Sequence, residues 1–208
     1  MKKLIRMTIK EKLDEYLEFN SDELFIFQNS LVRIFGGAIR DIIVDMPIHD
    51  IDILCGSKSI SKLEYILYEN GYTFSEMLSG KDIISMYDNI KVICEPKTYI
   101  KNNKIVQIIK PSLCKGGSES IYKKNFNNLI SNVDISCCGV SWDGELHEDY
   151  PNAILHCKNK VFAVNKYAKM YNDKRIFFRK DKLFNRGWKE IKDSIEINRD
   201  LKINIILK

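Results

Sequence analysis

The spacing of apolar residues changes period several times along the first third of the chain, and each change predicts an element. Over residues 7–19, Ile9, Leu13, Tyr16 and Leu17 recur at helical spacing with charges between them, which predicts an amphipathic helix laid on the core. Leu24-Phe25-Ile26-Phe27 extends that packing, and Leu31-Val32-Arg33-Ile34-Phe35 reads as a short strand. Ile39, Ile42, Ile43 and Met46 then fall at i, i+3, i+4 and i+7, a second helix that Pro47 ends. The period drops to two at Asp50-Ile51-Asp52-Ile53-Leu54, the mark of a strand. Beyond it, Ser61 is placed to cap a helix carrying Leu63, Ile66 and Leu67, which Asn70-Gly71 stops. Tyr72-Thr73-Phe74 predicts a strand, residues 80–92 a turn and strand, and Val92-Ile93-Cys94-Glu95 and Lys104-Ile109 two more strands joined by a polar loop. Lys115-Gly116-Gly117-Ser118 predicts a loop. Helices interleaved with strands place the chain in the α/β (α+β) class, a mixed sheet flanked by helices.

Two stretches within this pattern carry candidate chemistry. Gly36-Gly37 sits between the first predicted strand and the second predicted helix, where adjacent glycines let backbone amides approach an anion such as a triphosphate. Asp50 and Asp52 are two residues apart on a strand, so both carboxylates leave one face while Ile51 and Ile53 leave the other. Such a face suits Mg²⁺, a hard cation that takes oxygen ligands and shares them with phosphates.

Composition and charge narrow the picture. At 208 residues the chain suits one domain with a sizeable core, or a domain with a small appendage. No run approaches the ~18 apolar residues of a membrane span, and Met1-Lys2-Lys3-Leu4-Ile5-Arg6 is followed by polar residues, so a soluble, cytoplasmic protein with no membrane partner is expected. The six cysteines form no CxxC pair and predict reduced, buried thiols and no structural zinc. The net charge of +5 conceals a segregation: Lys158 to Lys192 holds twelve Lys or Arg against Asp173, Asp181 and Glu190, a local +9 that leaves the remainder at −4. Basic residues there alternate with aromatics, among them Arg175, Arg179, Lys180, Arg186 and Trp188. That pattern suits a single RNA strand, cations on phosphates and rings on bases; the alternative is a helix whose aromatics pack on the core. The expected division is a core over 1–157 and a basic aromatic extension over 158–208 packed on it.

The stretch Gly36-Gly37-Ala38-Ile39-Arg40-Asp41 through Pro47-Ile48-His49-Asp50-Ile51-Asp52-Ile53 resembles the DNA polymerase β superfamily of nucleotidyltransferases. Within it, the order is similar to the head domain of bacterial CCA-adding enzymes and poly(A) polymerases, whose pattern is GGAxRD, a short helix, then DxDI. Asn132-Val133-Asp134-Ile135 through Asp143-Gly144 resembles that domain's RRDFTxNAxAxDxxG stretch, but both arginines are replaced, by Asn132 and Val133. After Tyr150 the resemblance fades.

This resemblance implies a nucleotidyltransferase-type sheet and transfer of a nucleoside monophosphate from an NTP to a hydroxyl, most simply an RNA or tRNA 3′ end, with pyrophosphate released. It implies two Mg²⁺ on Asp50, Asp52 and a third carboxylate, for which Asp134 is the first candidate and Glu95 the second. It implies a triphosphate seat at Gly36 and Gly37. For Arg40 it leaves two roles open, a nucleotide contact or an ion pair within the first helical turn. Two other outcomes fit the same residues: a nucleotidyltransferase fold that binds nucleotide or RNA without turnover, and a toxin-type or antibiotic-modifying transferase acting on a protein or small molecule.

Overall fold

The computed structural model describes residues 7–28, 31–56, 58–78, 93–112, 133–165 and 173–191. Its centre is a seven-stranded mixed sheet in the order β3-β4-β5-β2-β1-β6-β7, formed by β1 (Val32–Phe35), β2 (Asp50–Cys55), β3 (Thr73–Ser75), β4 (Ile93–Lys101), β5 (Lys104–Ser112), β6 (Val140–Trp142) and β7 (Leu146–Glu148). Only β2 and β5 run parallel; the other neighbours are antiparallel. Helices α1 (Ile9–Leu17), α2 (Ser21–Leu24), α3 (Gly37–Ile43), α4 (Ile60–Glu69), α5 (Ala153–Lys158) and α6 (Asp173–Phe184) flank it. A small parallel pair, β8 (Val161–Phe162) and β9 (Lys189–Glu190), ties the last described segment to the chain that follows α5.

The apolar pattern explains these elements and their limits. Leu13 and Leu17 bury the inner face of α1, which a reciprocal Thr8/Glu11 cap starts and Glu18 in a left-handed conformation ends. Helix α3 stops at Ile43, one turn before the position set by Pro47: Asp45 has φ 58°, and the Met46 amide returns to the Asp41 carbonyl at 2.9 Å. Helix α4 starts at Ile60, with Ser59 and not Ser61 in the cap position. The polar loop expected after Glu95 is instead continuous strand. Lys97 to Lys101 pairs with Ile108 to Lys104, and the reversal occupies only Asn102 and Asn103, at φ 46° and 64°. Asparagine tolerates that left-handed pair, which matches the twist of a tight hairpin. The predictions for residues 80–92 and 115–118 fall outside the described residues.

One buried cluster runs from Leu13 and Leu17 through Ile34, Ile39, Ile51 and Ile53 to Phe162, Ile176, Leu183 and Trp188. The basic C-terminal stretch therefore contributes apolar residues to the same core as the sheet. Cys55, Cys137, Cys138 and Cys157 are buried thiols. Among the described residues no helix is long and apolar enough to cross a membrane.

Candidate active site

Strand β1 delivers Phe35 to the turn, and Gly36 makes it with φ 76° and ψ −129°, a conformation that side chains other than hydrogen rarely adopt. The Gly36 amide is held by the Val140 carbonyl at 3.0 Å, and its own carbonyl receives the Arg40 amide at 3.1 Å, so the turn is fixed to β6 on one side and to α3 on the other. Antiparallel pairing sets Phe35 opposite Asp52, which brings the Gly-Gly turn to the acidic end of β2.

On β2 the expected alternation holds. Ile51 and Ile53 are buried, while Asp50 and Asp52 are half-buried on the opposite face. Burial first, and then the neighbouring Asp50 charge, push the Asp52 carboxyl up to about 7 from an ordinary value of 3.8; Arg179 and Arg175 pull the other way without cancelling the effect. Two carboxylates on one strand face, one held up by burial and by the charge of the other, are a donor set that would suit a divalent cation. The residue beside Asp52 on β5 is Gln107, whose amide nitrogen donates to the Thr98 hydroxyl at 3.1 Å. Among the described residues no three His, Cys, Asp or Glu side chains are grouped to hold a metal. Glu95 lies on β4 opposite Lys110, in the strand beyond β5.

Asp134 has a different setting from the one expected. It is 1% exposed, and it pairs with Arg179 and, at 3.5 Å, with Arg175. Two arginines of α6 thus face the acid of the segment that lacks arginines at positions 132 and 133. Their separation of four residues puts both on one helix face, a sequence signal that could have found the pairing. Both carboxylate oxygens of Asp134 face these arginines.

Of the five residues expected to grip RNA, the four basic ones each pair with an acid of the protein, Arg179 and Lys180 with side chains still 35% and 31% exposed. Arg175 and Arg179 hold Asp134, Lys180 pairs with Glu190 at 2.6 Å, and Arg186 pairs with Asp41 at 3.0 Å. Trp188 is 2% exposed and packs in the core, with the Arg40 guanidinium 5.6 Å from its ring centre. A base has no access to it. Arg40, for which the resemblance leaves two roles open, is buried, pairs with Asp41 at 2.8 Å and donates to the Cys138 sulfur at 3.4 Å. A hydrogen bond from Cys137, with help from Arg40 and Arg179, lowers the Cys138 thiol despite its burial. The Tyr16 hydroxyl, not singled out from sequence, joins the entrances of β2 and β5 by donating to the His49 carbonyl at 2.9 Å and accepting from the Ile105 amide at 3.1 Å.

No protein-family model matches the sequence, and no curated protein matches it. Solved structures do match in three dimensions. A tRNA-processing enzyme in its apo form superposes with a TM-score of 0.57 at 14% identity, over 92% of this chain and 47% of that one. A CCA-adding enzyme in complex with CTP gives 0.56 at 13%, over 89% and 44%. The Thermotoga maritima CCA-adding enzyme complexed with tRNA gives 0.54 at 16%, over 91% and 43%. The chain spans less than half the length of these proteins. A match confined to residues 1–157 would cover at most about three quarters of the chain, so the likeness continues past the point where the sequence motifs fade. With the Gly-Gly turn, the acidic strand and the mixed sheet in place, the chain has a nucleotidyltransferase fold that resembles the head domain of CCA-adding enzymes.

Proposed function

We propose that this chain is a divalent-metal-dependent nucleotidyltransferase that moves a nucleoside monophosphate from an NTP to the 3′ hydroxyl of an RNA, tRNA being the leading candidate, with release of pyrophosphate. The observation that carries the reading is the Asp50/Asp52 pair beside a glycine turn, where burial and the Asp50 charge push the Asp52 carboxyl up to about 7. In this reading Asp50 and Asp52 hold Mg²⁺, which when bound neutralises phosphate charge and lowers the cost of forming the new phosphodiester. The Gly36 and Gly37 amides seat the triphosphate. Arg175 and Arg179, two cations sharing one carboxylate, present net positive charge toward Asp52 and offset the negative charge that the NTP brings. Asp134 positions these arginines and does not touch the reacting atoms.

The test is incubation of the full chain with each labelled NTP, Mg²⁺ and total RNA, asking which macromolecule acquires label. Label should enter RNA and vanish in Asp50→Asn and in Asp52→Asn. Unchanged turnover in both variants discards the assignment. One observation favours a second reading, a fold that binds nucleotide with little or no turnover: the position beside Asp52 on β5 is a neutral amide, Gln107. In that case NTP binds in the presence of Mg²⁺ but no acceptor is labelled.

A further inference from the structure

Asp50 stands at the loose end of its strand. On the β1 side the pairing of β2 reaches only to Asp52, and on the β5 side it ends at Asp50 itself, opposite Ile105. The chain ahead of it, residues 44–49, comes from α3, and α1 holds it at two points. Lys12 pairs with Asp45, and the Tyr16 hydroxyl donates to the His49 carbonyl at 2.9 Å. Lys12 and Tyr16 are four residues apart and so share one face of α1. The same hydroxyl accepts from the Ile105 amide at 3.1 Å. One form of a parallel ladder at this pair would join the Ile105 amide directly to the His49 carbonyl, and here the phenol oxygen stands between the two. Its single proton goes to His49, because the Ile105 carbonyl is farther away at 3.4 Å. Burial, against the pull of the Ile105 hydrogen bond and with help from the Asp50 charge, raises the Tyr16 phenol, so this proton is in place at neutral pH.

We infer that Tyr16 is a positioning residue for the acidic pair: its hydroxyl, inserted between the starts of β2 and β5, fixes Asp50 in the place from which it and Asp52 share one divalent cation. The inference rests on the metal-site reading above and extends it to a residue outside the strand. Without the hydroxyl, the His49 carbonyl and the Ile105 amide either close on each other or part to admit water. Either change moves Asp50, the next residue along, while Asp52 stays held between β1 and β5. A phenylalanine keeps the ring packed against the core and removes only this link. Tyr16 itself touches neither nucleotide nor metal in this role.

The experiment is a Mg²⁺ titration of the full chain, read as the rise of the thermal unfolding midpoint, for the wild type, Tyr16→Phe, Tyr72→Phe and Asp50→Asn. Tyr72 is the control for packing, since its hydroxyl also ties α1, donating to the Tyr16 carbonyl at 3.3 Å, but bonds to neither β2 nor β5. Without metal, both phenylalanine variants should unfold about 2–4 °C below the wild type, the ordinary effect of losing one hydrogen bond in a chain of this size. With metal they should part. Tyr16→Phe should need about tenfold more Mg²⁺ for half of its maximal shift, the loss expected when the support behind a ligand is removed, and Tyr72→Phe should titrate like the wild type. Equal half-saturation in the wild type and Tyr16→Phe overturns the positioning role. So does an equal loss in both phenylalanine variants, since looser packing of α1 would then account for it. The metal reading fails in a different way: a wild type that Mg²⁺ does not stabilise, or an Asp50→Asn variant that it stabilises equally well, sinks the acidic pair as the metal site and the role of Tyr16 with it.

Discussion

The two acidic regions of this molecule have opposite electrostatics. At Asp134 one buried carboxylate faces two guanidinium groups, and at Asp41 another is shared by Arg40 and Arg186. At Asp50 and Asp52 two carboxylates lie side by side, and the nearby arginines fail to compensate them. Buried ions with matched partners hold elements in place; ions left in mutual repulsion cost stability, and such a cost is a mark of a site that something else completes. Sequence motifs alone group Asp134 with Asp50 and Asp52. Their charge balance differs.

Removing Asp134 should give the largest effect. Asp134→Ala leaves Arg175 and Arg179 without their shared counter-ion and should lower the unfolding free energy by about 3–5 kcal/mol in denaturant titration. An unchanged midpoint would erase the contrast between the two regions.

Asp52→Asn should act with the opposite sign. The folded carboxyl binds its proton up to about 7, whereas the unfolded one releases it near 3.8, so between these values the native state holds more protons and stability falls as pH rises. In metal-free buffer the wild type should therefore lose stability from about pH 4 to pH 7. The Asn variant should lack that slope and gain about 1–3 kcal/mol at pH 8. A parallel pH dependence in both proteins would show that Asp52 is already compensated. Added Mg²⁺ should raise the wild-type unfolding midpoint at pH 8 and leave that of the variant in place.

The smallest effect sharpens the comparison further. Gln107→Glu puts a third carboxylate beside Asp52 at the cost of the Thr98 hydrogen bond, worth about 1 kcal/mol. If the acid edge lacks only a ligand, the Mg²⁺ concentration for half-maximal binding should fall severalfold, read by the same thermal shift. A rise would place the ion away from β5.

How much of this can be read from the chain depends on how locally each feature is encoded. The order of β1, the Gly-Gly turn, α3 and β2 is legible because each is fixed by residues within a few positions of itself: apolar alternation, a backbone that only glycine adopts readily, and a period of two at Asp50 and Asp52. The β4–β5 hairpin looks like a polar loop in sequence because Lys97, Thr98, Lys101, Asn102, Asn103 and Lys104 are all polar, although Thr98 and Tyr99 are buried in the strand. The partners of Asp134 are hidden by distance along the chain. A count of basic residues near the C-terminus cannot say which of them turn inward, and the matching acids Asp41, Asp134 and Glu190 lie on three different segments. Phe177 and Phe178 are exposed and Trp188 is buried, a difference that the aromatic pattern alone does not carry.

The Asp41–Arg186 pair also bears on the order in which the protein is made. Asp41 is synthesised 145 residues before its second arginine, and Asp134 precedes Arg175 and Arg179 by 41 and 45. A nascent chain that has reached the end of α5 has every strand of the large sheet, yet Asp134 still awaits both of its arginines and Asp41 its second. The Asp41–Arg186 pair thus ties α3 to the far end of the described sequence, a long-range contact of the kind that slows folding. A ribosome stalled between α5 and α6 would hold a chain with every strand of the large sheet but without the helix that carries the partners of Asp134.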